Sequence, residues 1–504
     1  MRILLGIASL LLAACLQSDA PTVGTYDARP GASTVAIRAV TVVDVMAGTL
    51  LPEQTVMVVG NRIAAVGQSD EVRIPRDAEL IEAAGRFLIP GLWDMHVHSV
   101  TGAGHVTDTP SPSIAPQDWH LPLMLAYGVT GVRNMNDRTN DVTLELTNTI
   151  KRQLAEGSRL GPPRFLSAGP AIDGDPYLMS KKIVVRNAEE ARTVVDQLAS
   201  NGADFIKVYE NVSREVYFAI IDETRRRHIP VDGHLPFRIT PQEAAAAGQR
   251  TVEHPEAFAA GCSAAADAER ERFARALADY DGPAGSEKLL LMQMHHLRAL
   301  YDSRDPAACA STFEAYRHSG VAVAADLLVY HHIVHAEQIL SDTARMRYVP
   351  ETIRNNWKNF LDSETAREAQ SILGPVPALE LENVRLANAA GVMLLAATDV
   401  DIPMGVPGLS LHEELVRLVE AGLTPLQALQ AATRNPARVL GLTESLGRIE
   451  AGKLADLVVL DANPLEDIHN TQKIHAVVAD GQLYRRADLD RLLEIARTAD
   501  ESAR

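Results

Sequence analysis

The chain has 504 residues, 46% of them hydrophobic and 22% charged, which is ample apolar material for a large folded body. A formal net charge of −17 and an aromatic content of 5% argue against a nucleic-acid partner, which needs a basic face for phosphates and stacking platforms for bases. Length alone allows about three domains, although a single β/α barrel absorbs about 250 residues or more.

Residues 1–14 read as a targeting segment: Arg2 supplies the positive start, and residues 3–12 form an apolar run too short to span a bilayer as a stable helix. Leu12-Ala13-Ala14-Cys15 then resembles the bacterial lipoprotein signal. That resemblance implies export to the cell envelope, lipid attached at Cys15, and tethering to the outer membrane on its periplasmic side. An ordinary secretory peptide cleaved near Ala14 is the alternative. Residues 15–33, with Pro21, Gly24, Pro30 and Gly31, read as the lipidated cysteine and a flexible linker. No later apolar run is long enough to cross a membrane, so the lipid is the expected membrane attachment. An oxidising compartment makes Cys262 and Cys309 candidates for a disulfide, with two packed thiols as the other reading.

Residues 34–88 are short and β-like, with runs at 35–37, 40–45, 55–59, 63–66 and 79–82 between turn signals at Gly48, Gly60-Asn61 and Gly67. Similar text returns in 446–484, at 447–449, 457–460 and 474–481, so the two segments are predicted to join as one small β-sandwich. Residues 485–504 remain as a tail. Between them, 89–445 alternates short apolar strands with helical runs, the pattern of a parallel α/β sheet. The strands are predicted at 92–98, 129–135, 164–172, 204–209, 229–234, 250–254, 321–328 and 392–399, with helices among them at 188–201 and 214–227. Eight such units are the count of a (β/α)8 TIM-like barrel, whose chemistry sits at the C-terminal strand ends. A doubly wound open sheet is the alternative, but no Gly-rich phosphate loop follows the first strand. Residues 256–320 and 329–391 are long helical excursions after strands six and seven, candidates for a lid or substrate pocket.

The first barrel strand lies in IPGLWDMHVH, 89–98, where His96 and His98 at i and i+2 point to one face. Two imidazoles on a rigid strand outline a metal site; a buried strand with two hydrogen-bonded histidines is the plainer reading. The other strand ends decide between them. Strand four, DFIKVY, carries Lys207; strand five ends in VDGH with His234, strand six in TVEH with His254, and strand eight in AATD with Asp399. Imidazole and carboxylate suit zinc and similar divalent ions, whereas an ammonium beside two dications would be repelled. Lys207 therefore has to be neutral or chemically altered.

With these residues the chain resembles the amidohydrolase superfamily, in its imidazolonepropionase- and prolidase-like branch; AATRNPARVLGL (431–442) and GRIEAGKLADLVVLDANPLEDI (447–468) carry the likeness into the tail. The resemblance implies two divalent ions, zinc by expectation, with His96, His98 and Asp399 on one, His234 and His254 on the other. Lys207, carboxylated by carbon dioxide, would bridge them. It further implies a metal-bridging hydroxide as nucleophile and Asp399 as the catalytic proton carrier. Dipeptidase relatives commonly have a Gly-His pair after strand three, but here the strand runs into DGDPYL (173–178) without a histidine, which puts peptide specificity in doubt. Tyr209 matches a substrate-contacting tyrosine of some relatives; Tyr177, Arg238, His331 and His332 are further pocket candidates, with surface positions as the alternative for each. The function expected is hydrolysis of an amide-type C–N bond in an N-acyl amino acid, dipeptide or cyclic amide. Alternatives are a lactonase, esterase or phosphotriesterase-like enzyme on the same centre, or a surface binding protein without catalysis. The expected partners are a small-molecule substrate and further copies of the chain, with no nucleic acid.

Overall fold

The computed structural model describes residues 33–98, 119–136, 143–177 and 182–498. The targeting segment, Cys15 and the linker up to residue 32 lie outside the described residues. Among the described residues, no helix is long and apolar enough to cross a membrane.

The terminal segments meet in one eight-stranded sheet. The first six strands are β1 (Thr34–Asp44), β2 (Thr49–Val59), β3 (Arg62–Gln68), β4 (Glu79–Glu82), β5 (Phe87–Pro90) and β6 (Leu92–Val97). Then follow β7 (Val129–Asn134), β8 (Arg164–Ser167), β9 (Ile172–Asp173), β10 (Ile183–Val184), β11 (Ile206–Val208) and β12 (Val231–Gly233). The last are β13 (Thr251–Glu253), β14 (Ala322–Ala324), β15 (Met393–Leu395), β16 (Leu457–Leu460), β17 (Ile474–Ala479) and β18 (Gln482–Arg485). The terminal sheet runs β18-β17-β16-β5-β1-β2-β3, with β4 also on β1. Two runs expected at 35–37 and 40–45 are one strand, because a register shift between Ile37 and Val40 absorbs Ala39 at φ 58°. Residues 447–449 form no strand.

β16 shows how the sheet is fastened to the barrel. Its residues alternate between faces: Leu457 and Val459 enter the sheet's own apolar cluster, while Val458 and Leu460 join the barrel's. Each such buried Val or Leu side chain contributes about 1.5–3 kcal/mol.

The middle of the chain has the TIM-barrel-like α/β arrangement, its strands parallel in three sheet segments, β6-β7-β8, β10-β9-β11-β12 and β13-β14-β15. Scattered backbone hydrogen bonds join these segments instead of continuous ladders. The Asp204 N–H donates to Ser167 O (2.8 Å), Arg250 N–H to Val231 O (2.8 Å) and Met95 N–H to Ala396 O (3.1 Å). Third-strand pairing, expected over 164–172, stops at Ser167 and resumes at Ile172, with Gly169 at φ 67° and Pro170, which has no N–H to donate, between. The seventh strand is cut at Ala324, and residues expected to continue it turn into the helix Leu328–Val334, whose approach is fixed by the Leu327 N–H donating to Glu414 Oε1. Helices Ala188–Ser200 and Arg214–Arg227 begin where Asn187 and Ser213 cap their first N–H groups.

Inside the barrel, fully buried Arg133 pins four strands together. Its Nε donates to Met95 O (2.7 Å), Nη1 to Asp232 Oδ2 (3.0 Å) and Thr251 Oγ1 (2.8 Å), and Nη2 to both oxygens of Glu253 (3.0 and 2.9 Å). Arg250 donates to Asp232 as well, so the buried charges of this set are paired on every side.

The two excursions are helical throughout most of their length. The first comprises Glu256–Cys262, Ala266–Ala278, Glu287–Asp302 and Pro306–Ser319; the second runs from Leu328–Val334 to Val376–Ala389. A disulfide joins Cys262 to Cys309, Cα atoms 4.2 Å apart and 47 residues apart in sequence. It ties the first helix of the excursion to its last, and loop closure of this length stabilises by about 4 kcal/mol in the chain-entropy model.

Candidate metal centre

The strand ends bring His96, His98, Lys207, His234, His254 and Asp399 into one buried cluster, none of them more than 7% exposed. Asp399 Oδ1 lies 2.8 Å from His98 Nε2 and 3.3 Å from His96 Nε2. Lys207 Nζ is 3.3 Å from the same His96 nitrogen. The His96 and His254 rings are 5.0 Å apart, and those of His254 and His234 4.7 Å. Ligand atoms of His96, His254 and Asp399 all fall within 4.8 Å of one another, as do those of His234, His254 and Glu256.

Local backbone explains the aim of these groups. Asp94 staples the first strand to the eighth: Oδ1 accepts from the His96 N–H (3.3 Å) and the Thr398 N–H (3.1 Å), and Oδ2 from the Thr398 hydroxyl (2.7 Å). The Asp399 N–H donates in turn to His96 O at 2.8 Å. His254, Asp326 and Asp399 hold φ of 64°, 44° and 52°, a left-handed conformation that costs non-glycine residues on the order of 1–3 kcal/mol and clusters at functional sites.

Three of the imidazoles are also hydrogen-bonded from behind. His98 Nδ1 donates to Asn136 O (2.8 Å), His96 Nδ1 meets Asp326 Oδ2 (3.0 Å), and His234 Nδ1 meets Glu210 Oε1 (2.9 Å). Asp326 Oδ2 also lies 3.4 Å from His254 Nδ1 and accepts from the His254 N–H at 3.3 Å. Gln293, from the first excursion, donates to both oxygens of Glu210 (2.8 and 2.7 Å). Burial, reinforced by the charge on Lys207, holds His96 and His234 well below the usual imidazole range, and burial holds His254 at about 4. Glu210 is pushed up to about 7 by burial, and Asp326 well above the carboxylate range by burial and the neighbouring Asp399. At neutral pH the His96, His234 and His254 rings are therefore neutral.

The donor set fits a divalent cation. A carbonyl can only accept, so the His98 Nδ1 carries the proton that meets Asn136 O, and Nε2 is the atom that faces a carboxylate oxygen 2.8 Å away. A cation at that point would draw on an imidazole nitrogen and a carboxylate oxygen together. Neutral imidazoles with their outer nitrogens engaged by acceptors, plus a carboxylate, make up the ligand shell and supporting shell of zinc-type sites.

Asp326, Glu210, Gln293, Asn136 and Glu256 were not singled out from sequence. Asp326 closes AVAAD at the end of strand seven just as Asp399 closes AATD, and Glu210 follows Tyr209 directly, so both carried a strand-end signal. Asp326→Asn is expected to weaken zinc binding about 10–100-fold by loosening both His96 and His254. Zinc competition against a chromogenic chelator measures this, and unchanged affinity would show that Asp326 does not orient the rings.

The other pocket candidates divide. Tyr209 lies against His234, ring centroids 4.0 Å apart and the planes tilted by 41°. Arg238 directs its guanidinium to the backbone oxygen and side chain of Asn211. His332 Nδ1 faces Pro403 O at 3.3 Å, and His331 packs on His335, ring centroids 4.5 Å apart. The Tyr177 carbonyl accepts from the Gly285 N–H. Neither Tyr177, Arg238, His331 nor His332 belongs to the His–Asp–Lys cluster.

Several known proteins are similar to this chain. An imidazolonepropionase of Vibrio vulnificus (strain CMCP6) is 33% identical over 111 residues, 20% of this chain and 26% of that protein. Of adenine deaminase 3 of Rhizobium meliloti (strain 1021), 29% identical over 113 residues, the match spans 18%. The chain thus spans about a quarter or less of the length of these curated relatives. Among solved structures, bottromycin amidohydrolase superposes with a TM-score of 0.66 at 23% identity, over 93% of this chain and 90% of that one. Residues 87–484, which contain all six clustered side chains, match the amidohydrolase family, and the chain belongs to that family.

Proposed function

We propose that this protein hydrolyses an amide-type C–N bond in a small molecule, an N-acyl amino acid, dipeptide or cyclic amide, at a centre for two divalent ions, with zinc the ion its donors suit. The observation that carries the reading is the convergence of four imidazoles, one lysine and one carboxylate in a single buried cluster. His96, His98 and Asp399 would hold one ion, His234 and His254 the other, and Lys207, carboxylated by carbon dioxide, would lie between. When bound, such ions supply Lewis acidity toward a carbonyl and lower the pKa of water toward neutrality.

The chain's own residues do the rest. Asp399 Oδ1, held beside both His96 and His98, takes the proton of the attacking water and delivers it to the departing nitrogen. Asp326, Glu210 and Asn136 keep the imidazole Nε2 atoms aimed inward, so that no reorientation is needed during the reaction. Tyr209 covers the flank of His234 and excludes water there. The names of the relatives, an amidohydrolase and an imidazolonepropionase among them, support a C–N bond as the target. Leu12-Ala13-Ala14-Cys15 supports a location in the bacterial cell envelope, with the enzyme tethered through a lipid on Cys15.

A substrate panel tests the reading. Mature protein loaded with zinc and bicarbonate is expected to turn over at least one N-acyl amino acid or dipeptide with kcat/KM of about 10⁴ M⁻¹s⁻¹ or more. Turnover confined to lactones, esters and phosphotriesters would overturn the C–N assignment.

A further inference from the structure

Beside the metal-ligand cluster lies a cavity walled by the segment after barrel strand five, by the end of strand six and by the helices of the first excursion. Its body is apolar, lined by Leu235, Phe237, Ala257, Leu297 and Leu300. Where it borders the cluster its lining carries carboxyls, and each already has a partner: Glu210 takes His234 and Gln293, Glu253 takes Arg133, and Glu256 takes the Tyr330 hydroxyl.

Two further polar groups reach the same cavity from the excursion, and neither is fully engaged. His296 is 5% exposed and stacked on Phe273, and its Nδ1 makes no hydrogen bond, lying 3.9 Å from Glu269 Oε2. Arg270, in the helix Ala266–Ala278, lines the cavity with a side chain 19% exposed. Its ion-pair partner, Asp267, is 91% exposed. An ion pair to so hydrated a carboxylate is weak and readily exchanged for a better-enclosed one. A guanidinium on the wall of an apolar chamber favours a planar anion that can accept two parallel hydrogen bonds.

We propose that this cavity is a specificity pocket for a substrate moiety that joins an apolar or aromatic body to a carboxylate, and that Arg270 receives the carboxylate. The apolar walls take the body, and the paired acidic groups beside the metal ligands leave Arg270 as the anion's partner. Its role as a leaving-group or acyl pocket rests on the amide-hydrolase reading above; the binding preference itself does not.

Calorimetric titration of the full mature protein with 3-phenylpropanoate and with 3-phenylpropanamide, in zinc-loaded and in metal-free form, tests the proposal. Wild type is expected to bind the carboxylate at least tenfold more tightly than the amide in both forms, Arg270→Gln to bring the ratio close to one, and Arg270→Lys to keep part of it. Equal binding of the two ligands by wild type, binding of neither, or a ratio that Arg270→Gln leaves intact would overturn it. A preference present only with zinc would likewise overturn it, since the carboxylate would then sit on the ion. Absence of amide turnover together with an Arg270-dependent preference would contradict the proposed reaction and leave the pocket standing.

Discussion

Asp399→Asn is expected to lower kcat by about three orders of magnitude while the protein remains folded. The substitution is nearly isosteric, and asparagine tolerates the left-handed backbone that residue 399 adopts at φ 52°. The main-chain hydrogen bond from residue 399 to His96 O survives, so the eighth strand keeps its place against the first. What disappears is the basic oxygen 2.8 Å from His98 Nε2 and 3.3 Å from His96 Nε2, the group assigned to carry the proton to the departing nitrogen. Steady-state kinetics on the best amide substrate, with circular dichroism as the folding control, measures the effect. Undiminished turnover in a folded variant would place the base on another residue.

Lys207→Ala is expected to be as severe, through loss of the group proposed to lie between the two ions. Lys207 is among the largest fully buried side chains, 1% exposed, with Nζ 3.3 Å from an imidazole nitrogen. A buried ammonium in that position is costly, by several kcal/mol, and would also repel cations; a carboxylated, negatively charged lysine removes both objections. The alanine variant leaves a cavity lined by ligands, so propionate or acetate at millimolar concentration is expected to restore part of the metal binding and turnover. Lys207→Met fills the same space with an apolar chain and should not respond. Equal rescue of both variants, or full activity of the methionine variant, would rule out a bridging role for Lys207.

The six clustered residues were legible because a parallel strand presents its last side chains at one mouth, and the pattern HxH, K, H, H, D falls at strand ends that apolar runs already marked. Long-range support was harder to see. Asp326 was hidden because strand seven appeared to run on to residue 328, whereas the chain turns at Ala325, under a hydrogen bond to Glu414 from a helix nearly ninety positions later. Gln293 reaches Glu210 from an excursion helix whose periodicity reports only a packed face. His331 and His332 drew notice as a pair, but the short helix Leu328–Val334 directs them toward His335 and Pro403. In the terminal sheet, strand positions were readable from alternation, while the single-sheet topology depends on β16 pairing with β5, a register that hydrophobic pattern alone does not specify. Pairing of Cys262 with Cys309 is a matter of distance, which sequence does not contain.

The proposed reaction rests on a centre for two divalent ions. The direct measurement is elemental analysis of purified mature protein after loading with zinc and bicarbonate and removal of free metal. The account predicts about two ions per chain, falling to about one or fewer when His234 and His254 are both replaced by alanine. Wild-type protein that retains no ion under these conditions would contradict it.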